Sequence, residues 1–132
     1  MADFLLDTHA LLWYAQSPAL LPVAVIEIIR DAEATVYLSR VSLLEVAIKY
    51  SVGKLELRAT FQQWLQKVTQ AGFIRLEIAD QHLMTLASLP LLPNHRDPFD
   101  RLLIAQALTE NLTLVSRDGK FGEYAGLKLQ WA

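Results

Sequence analysis

The feature that most constrains the fold is a regular alternation of short apolar segments with longer helical segments. The first segment, Asp3–Leu6, is apolar on both faces, which is typical of a strand in a parallel sheet covered by helices. Further strands are predicted at Thr35–Leu38, Phe73–Ile78, Thr113–Ser116 and Leu127–Trp131. Helices are predicted at His9–Ala15, Val23–Ala32, Val41–Val52, Thr60–Ala71, Asp80–Leu89 and Phe99–Glu110. This alternation predicts an α/β fold with a mainly parallel five-stranded sheet and right-handed crossovers.

The length and composition limit the classes of protein that the chain can represent. A length of 132 residues is enough for one domain with one core, which we take as residues 1–132. A hydrophobic content of 53% and a mean hydropathy of +0.26 indicate an extensive core and are compatible with an apolar surface that a partner buries. The net charge of −2 gives no overall basic field, so any contact with nucleic acid must come from a local patch. The absence of cysteine excludes disulfides and thiolate zinc sites.

The N-terminal residues predict a cytoplasmic protein without a membrane anchor. The first residues, Met1–Phe4, lack the basic stretch of a signal peptide. Residues 8–26 contain no Lys, Arg, Asp or Glu, which superficially resembles a membrane span. Pro18 and Pro22 interrupt this stretch, however, and it is better explained by two short helices.

Four carboxylates occupy equivalent places relative to the predicted strands and helices. Asp7 ends the first strand, and Glu45 lies in the first turns of the helix after the second strand. Asp100 lies in the first turn of the helix before the fourth strand, and Asp118 follows that strand. The carboxyl ends of parallel strands and the N-termini of the following helices share one edge of the sheet, where ligands bind. We therefore expect all four carboxylates to project at the same edge.

The start of the last long helix adds a further acid. Pro98 fixes its own φ and disfavours the α region for Asp97, so Asp97 must lie before the helix. Asp100 then falls in the first turn, where the helix dipole favours a carboxylate. Helix stabilisation alone is therefore the structural alternative for Asp100, and Asp97 is a fifth candidate for the acidic edge.

The other three carboxylates have structural alternatives as well. Asp7 could act as a turn residue or cap the helix that follows it. Glu45 fits a capping box in which Ser42 is the N-cap and Glu45 reaches back to its amide. Asp118 and Gly119 form an ordinary turn pair.

The combination of four acids predicts a metal site more strongly than any one of them. Two carboxylates about 4 Å apart repel by roughly 4 kcal/mol at an effective dielectric constant near 20. Gathering several of them is therefore costly unless a cation is bound or some are protonated. Ligand sets made only of oxygen suit Mg²⁺ or Mn²⁺ rather than zinc. Such a site indicates metal-dependent hydrolysis of a phosphate ester.

Four motifs, in this order along the chain, resemble a PIN domain, and most closely the VapC-like toxins of type II toxin–antitoxin pairs. They are Leu5–His9, Ser42–Glu45, Asp97–Ala105 and Leu114–Asp118. The resemblance spans essentially the whole chain. It implies a three-layer α/β/α sandwich around a five-stranded parallel sheet. It also implies a ribonuclease that acts on RNA, forms a homodimer and is blocked by a cognate antitoxin protein.

The resemblance also implies roles for individual residues. Asp7, Glu45, Asp100 and Asp118 would be the catalytic acids that hold one or two Mg²⁺ or Mn²⁺ ions. Asp97 matches an additional acid that is common in this subgroup. Ser116 stands where such proteins usually have Thr, and it retains the hydroxyl group.

Cations near the acidic edge are candidates for contact with RNA phosphates. The sites flanking the motifs are Arg40, Lys49, Lys54, Arg96, Arg101, Arg117 and Lys120. Arg101 and Lys49 are the best candidates for substrate binding, together with Ser116, although Lys49 could instead pair with Glu45 one helical turn away. His9 could line the site but more often such a histidine has no role. Trp13, Tyr14, Phe61 and Trp64 fit helical apolar faces, which favours core or interface positions over base stacking.

Two other functions fit parts of the sequence. Asp7–His9 and Asn94–His95 resemble fragments of the metallophosphoesterases, a different class of metal-dependent phosphoesterase, but the Gly-Asp-x-x-Asp motif of that class is absent. A non-enzymatic alternative is a catalytically inactive PIN-like binding protein, against which the presence of all four acids argues. A phospho-accepting regulatory module is weaker, because Lys128 lies at the start of the last predicted strand and not at its end.

Overall fold

A computed structural model describes residues 2–93 and 97–132 of the chain. The Asn94–His95 pair of the metallophosphoesterase alternative and the flanking cation Arg96 lie outside the described residues. The strands are β1 (Asp3–Leu6), β2 (Thr35–Ser39), β3 (Ile74–Leu76), β4 (Thr113–Val115) and β5 (Lys128–Gln130). The helices are α1 (Thr8–Gln16), α2 (Val23–Arg30), α3 (Arg40–Ser51), α4 (Phe61–Gln70), α5 (Asp80–Ser88) and α6 (Pro98–Glu110). Short 3-10 helices cover Pro18–Leu20 and Gly119–Glu123.

The five strands form one parallel sheet in the order β3-β2-β1-β4-β5. The first strand is central, and its Leu5 pairs with Tyr37 of β2 on one side and Leu114 of β4 on the other. The predicted α/β fold with a five-stranded parallel sheet is confirmed. The predicted strands and helices all occur, with ends that differ by one or two residues at most sites, because helix and strand ends fray.

Helices cover both faces of the sheet, so the core is divided into two apolar clusters. Successive residues of a strand point to opposite faces, and Leu6 and Leu5 accordingly belong to different clusters, each without exposed surface. The Leu6 cluster contains residues of α1, α2 and α4, whereas the Leu5 cluster contains residues of α6 such as Leu103 and Ile104. The central strand is therefore buried on both faces, as its sequence predicts.

The aromatic residues that the sequence assigns to apolar faces do pack against the core. Trp64 is buried in the Leu6 cluster, and Trp13, Tyr14 and Phe61 are partly buried against it. Within the described part of the chain, none of the helices has the length and apolar character needed to cross a lipid bilayer.

A buried polar network ties the end of β2 to α5 and α6. The Ser39 hydroxyl donates to Oε1 of Gln106 at 2.5 Å, and Nε2 of Gln106 donates to the Glu77 carbonyl at 3.3 Å. Nδ1 of the buried His82 accepts from the Ala79 amide at 3.0 Å, so its other ring nitrogen is the one that can donate to Glu110, at 2.7 Å. The network fixes the ends of these elements next to the edge of the sheet that carries the acids.

We expect Gln106→Ala to lower the free energy of unfolding by about 2 kcal/mol, because buried hydrogen-bonding groups lose their partner. The Ser39 hydroxyl would lose its acceptor, and the Glu77 carbonyl would lose a donor. Urea denaturation of the two proteins measures the difference. The matched control is Gln66→Ala on the exposed side of α4, which should change stability by less than about 0.5 kcal/mol. Equal losses in both variants would contradict a stabilising role for the network.

Candidate active site

Asp7 lies at the carboxyl end of the central strand and is 5% exposed. Its amide donates to the Val115 carbonyl of β4 at 3.0 Å, which holds the residue at the end of the sheet. Its Oδ1 accepts from the Ala10 amide at 2.7 Å, so Asp7 is the N-cap of α1. The capping alternative is therefore correct, and it fixes the carboxylate at the edge where the sequence predicts a site.

Glu45 is buried in α3, but the predicted capping box around it is wrong. The helix begins at Arg40, and its N-cap is Ser39, whose hydroxyl oxygen accepts from the Val41 amide at 3.0 Å. The second strand extends one residue further than predicted, to Ser39, and this residue takes the capping position that the pattern assigned to Ser42. Glu45 is consequently free of any capping role.

Hydrogen bonds from two other elements fix the Glu45 side chain. Oγ1 of Thr8 lies 2.7 Å from Oε1 of Glu45 and 3.0 Å from the hydroxyl oxygen of Ser42. A carboxylate only accepts, so the single hydroxyl hydrogen of Thr8 goes to Glu45, and Ser42 can donate to Thr8. Lys49 binds the other carboxylate oxygen at 2.5 Å, which confirms the pairing one helical turn away.

Asp97 and Asp100 open α6 as the position of Pro98 predicts. Asp97 has extended backbone angles and is the N-cap, with its Oδ1 accepting from the Asp100 amide at 3.0 Å. Pro98 is the first residue of the helix, and Asp100 lies in the first turn, partly buried. Asp97 is exposed, so Asp100 is the more buried of the two acids.

Asp118 follows β4 and is held next to Asp7 by the hydroxyl group of Ser116. Asp118 caps the 3-10 helix at Gly119–Glu123 by accepting from the Lys120 amide at 2.9 Å. The Asp118 amide donates to Oγ of Ser116 at 3.1 Å. Ser116 is 1% exposed, and its side chain also hydrogen-bonds the Asp7 carboxylate. One buried hydroxyl group thus links two acids from neighbouring strands.

The pKa values show that the acids sense each other's charge. Burial, as the largest cause, and the charges of the neighbouring acids together raise the pKa of Asp100 to about 7; these acids are Asp97, Glu45, Asp7 and Asp118. Burial also raises the pKa of Asp7, partly offset by its hydrogen bonds from Ser116 and Ala10, whereas Glu45 adds to the rise. The structure therefore brings all four predicted acids, with Asp97, within electrostatic reach of Asp100. We refer to Asp7, Glu45, Asp100 and Asp118 as the acidic edge.

The chemistry of the acidic edge fits a divalent cation. Its donors are all oxygen atoms, which Mg²⁺ and Mn²⁺ prefer, and the raised pKa of Asp100 marks an excess of negative charge. Among residues 2–93 and 97–132, however, no three Asp, Glu or His side chains lie close enough together to surround one ion. The donor type and the charge fit a metal, whereas the present side-chain spacing does not define an ion site.

The cations predicted near the site have different environments. Lys49 is paired with Glu45, and Arg40 forms a two-point ion pair with the exposed Glu77. Arg101 donates to the carbonyls of Pro90 and Leu89 at 2.7 and 3.1 Å, so its contacts anchor the segment before α6, and its role in substrate binding stays a prediction. Lys54 lines a small cavity that also contains Glu45 and Lys49. Arg117, which the sequence ranks no higher than the others, lines a larger cavity together with Asp7 and Asp118.

Two residues that position the site are not predicted from the sequence. Thr8 fixes Glu45 across 37 positions of the chain, and Gln106 supports the end of β2 across 67 positions. The only local signal for Thr8 is its place directly after the strand-ending Asp7, and Gln106 is marked only as a polar residue on an otherwise apolar helix face. Both depend on which elements meet in space.

We expect Asp100→Asn to become more stable relative to the unsubstituted protein as the pH rises from about 5 to about 8. Because folding raises the Asp100 pKa from 3.8 to about 7, the folded protein holds a proton that the unfolded chain releases in this range. The free energy of unfolding of the unsubstituted protein therefore falls with rising pH, and the neutral amide removes this loss. Urea denaturation in EDTA at both pH values measures the effect.

The matched control is Asp80→Asn, which removes an exposed first-turn carboxylate from α5. It should show no such gain between the two pH values. A pH-independent loss of stability in Asp100→Asn, similar to that of the control, would instead mean that Asp100 only stabilises its helix.

Comparison with known proteins assigns the fold to a family. The profile of the PIN domain matches residues 4–127. A comparison with curated protein sequences gives no significant match. Three solved structures contain chains with this fold, and these chains share between 18% and 20% sequence identity with the present one.

The first is VapBC2 from Rickettsia felis, bound to a DNA fragment from its promoter, with a TM-score of 0.70, 19% identity and coverage of 98% of this chain and 99% of that chain. DNA-bound VapBC from Salmonella typhimurium aligns with a TM-score of 0.69 at 18% identity, covering 98% of each chain. FitAcB from Neisseria gonorrhoeae aligns with a TM-score of 0.59 at 20% identity, covering 96% of this chain and 95% of that chain. At such identities, the likeness shows the fold. With the family profile spanning nearly all of its length, the chain belongs to the PIN domain family, whose members are generally nucleases that use divalent metals.

Proposed function

We propose that the chain is a Mg²⁺- or Mn²⁺-dependent endoribonuclease and the toxin component of a type II toxin–antitoxin pair. The observation that carries the proposal is that a PIN-domain sheet places Asp7, Glu45 and Asp118 near enough to Asp100 for their charges to add to the effect of burial on its pKa. Helix capping accounts for Asp7 and Asp118 but not for Glu45, whose helix is capped by Ser39. Repulsion among the gathered acids lowers stability unless a cation is bound or some are protonated.

In this proposal, Asp7, Asp100 and Asp118 would hold the metal, and Glu45 would orient the attacking water or complete the surroundings of the ion. A bound ion of this kind supplies a more acidic water and stabilises charge at phosphorus. The protein's own contribution is positioning. Thr8 and Lys49 hold the two oxygens of Glu45, and the Ser116 hydroxyl group keeps Asp7 and the Asp118 backbone at a fixed separation.

RNA as substrate, a cognate antitoxin and a homodimer belong to the same proposal. VapBC-5 from Mycobacterium tuberculosis, a further structure with this fold, is a member of the VapBC family of toxin–antitoxin systems, which supports an antitoxin as partner. An apolar groove of about 270 Å³, lined by Leu43 and Leu44 of α3 and Phe61 and Leu65 of α4, fits contact with a protein. Ile48 on α3 is 43% exposed, which extends this apolar surface.

We expect the purified protein, freed of any antitoxin, to cleave a mixed RNA pool with Mn²⁺ or Mg²⁺ and not with EDTA. Asp7→Asn should lower the cleavage rate at least 100-fold, because it removes one of the charges proposed to hold the ion, and typical losses on removal of an electrostatic catalytic group are of this order. Gel analysis of the products over time measures the rate. The matched control is Asp3→Asn, an exposed acid at the start of the same strand, which should keep full activity.

The outcomes separate the proposed ribonuclease from its alternatives. Metal binding without RNA cleavage, but with hydrolysis of simple phosphate esters, would identify a different phosphoesterase. Neither cleavage nor metal binding would leave a PIN-like binding protein whose acids only cap helices and pair with Lys49.

We expect millimolar Mn²⁺ or Mg²⁺ to raise the melting temperature of the unsubstituted protein, because an ion that binds only the folded state stabilises it. The gain is about 2.7 kcal/mol at a concentration 100-fold above Kd. Asp118→Asn should lose most of this shift, whereas Asp80→Asn on α5 should keep it. Differential scanning fluorimetry in EDTA and in metal measures both. An equal shift in the two variants would mean that the ion binds elsewhere.

A further inference from the structure

A cavity of about 380 Å³ opens directly beside the acidic edge. It is lined by Asp7, His9, Trp13, Arg117, Asp118 and Gly119. Its size lies within the range of small-ligand sites in proteins. Two of the six lining residues are acids of the proposed catalytic site, so whatever occupies the cavity lies next to the reacting phosphate.

Two aromatic side chains line the same cavity as these acids. The rings of His9 and Trp13, which we call the aromatic wall, have centroids 6.1 Å apart and are tilted by 54°. Trp131, near the C-terminal end, packs against Trp13 at a distance of 5.8 Å between the ring centroids. His9 is exposed and Trp13 is only partly buried, so the wall presents ring surface to solvent. Part of the Trp13 side chain therefore packs against the core, and part of it lines the cavity, where core packing gives it no role.

A cation completes the wall. The guanidinium carbon of the exposed Arg117 lies 5.8 Å from the centroid of the Trp13 ring. The cavity therefore combines two carboxylates with two rings and a positive charge. A nucleotide matches this lining, since it joins an anionic phosphate, which a metal could carry to the acids, to a flat aromatic base. Stacking on aromatic side chains and on Arg is the usual way in which proteins bind bases of single-stranded RNA.

We propose that the aromatic wall is a subsite for a base of single-stranded RNA, next to the phosphate that the acidic edge cleaves. This proposal rests on the proposed ribonuclease function and adds a position at which the substrate is held. The base stacks on Trp13 with His9 beside it, and Arg117 turns from the Trp13 ring to the adjoining phosphate. The sequence favours a core or interface position for Trp13, and the structure adds that the residue also lines the cavity. An arginine side chain of a protein partner is the competing occupant, because the two carboxylates of the cavity would also attract a cation.

The test is the affinity for a short fluorescein-labelled RNA and for an RNA of equal length without bases, measured by anisotropy in Mn²⁺. All proteins carry Glu45→Gln, because Glu45 belongs to the proposed site but does not line the cavity, and the substitution keeps the RNA intact. We expect Trp13→Leu to lower the affinity for RNA about tenfold, with Trp13→Phe intermediate, which is the range found when a base loses an aromatic partner. His9→Ala, an exposed position that does not threaten folding, should lower it severalfold.

The RNA without bases distinguishes stacking from a structural role. The parent protein, which carries only Glu45→Gln, should bind this RNA about as weakly as Trp13→Leu binds intact RNA. Trp13→Leu should bind the two RNAs with equal affinity. The matched control is Tyr14→Leu on the same helix, whose ring packs against Phe73 and does not line the cavity. This control should retain the preference for intact RNA.

Three results would overturn the proposal. If Trp13→Leu and His9→Ala prefer intact RNA over the RNA without bases by the same affinity ratio as the parent, the aromatic wall is not a base subsite. Cleavage by the unsubstituted protein would in that case still support the ribonuclease. If a short arginine-containing peptide quenches tryptophan fluorescence in the Glu45→Gln protein but not after the added Trp13→Leu substitution, and RNA quenches it in neither, the cavity receives a protein side chain. If the parent binds neither RNA and the unsubstituted protein cleaves none, both the subsite and the proposed function fail.

Discussion

The structure of this chain depends on the placement of several negative charges at one edge of a parallel sheet. Burial is the largest cause of the raised pKa values of Asp7 and Asp100, and the charges of neighbouring acids add to both. Backbone amides offset part of the cost of this placement, because Asp7 accepts from Ala10, Asp97 from Asp100, and Asp118 from Lys120. Capping and the proposed catalysis are therefore not competing explanations of these residues. The caps fix Asp7, Asp97 and Asp118 at helix N-termini, where a negative charge is least unfavourable.

The register of the sheet decides which acids meet. Leu6 of the central strand pairs with Val115 of β4, so the residues that follow these two strands are neighbours. Asp7 and Ser116 are those residues, and the Ser116 hydroxyl group reaches both the Asp7 side chain and the Asp118 amide. A shift of the register by one residue would exchange the two core clusters into which Leu5 and Leu6 pack. The burial of Leu5 and Leu6 thus fixes the site as firmly as it fixes the core.

The sequence predicts what depends on local patterns. Alternating apolar and helical segments predict the sheet, and Asp97 before Pro98 predicts the start of α6 within one residue. The capping box at Ser42 fails because the pattern of spacing cannot tell whether β2 ends at Leu38 or at Ser39. The contacts of Thr8 with Glu45 and of Ser39 with Gln106 span 37 and 67 positions, and no local pattern encodes them. The partners of Arg101 are backbone carbonyls, which carry no sequence signal at all.

Three buried hydroxyl groups give the acidic edge its rigidity. Thr8, Ser42 and Ser116 are buried, and together they fix the carboxylates of Glu45 and Asp7 without adding charge. A lysine or arginine in these positions would neutralise the acids permanently, whereas a hydroxyl group leaves their negative charge available to a cation. Lys49 neutralises only one oxygen of Glu45 and lies on the outer side of the group, partly exposed. Neutral hydroxyl groups therefore position the acids and leave negative charge on the acidic edge. Binding of a divalent ion would reduce the repulsion among these charges.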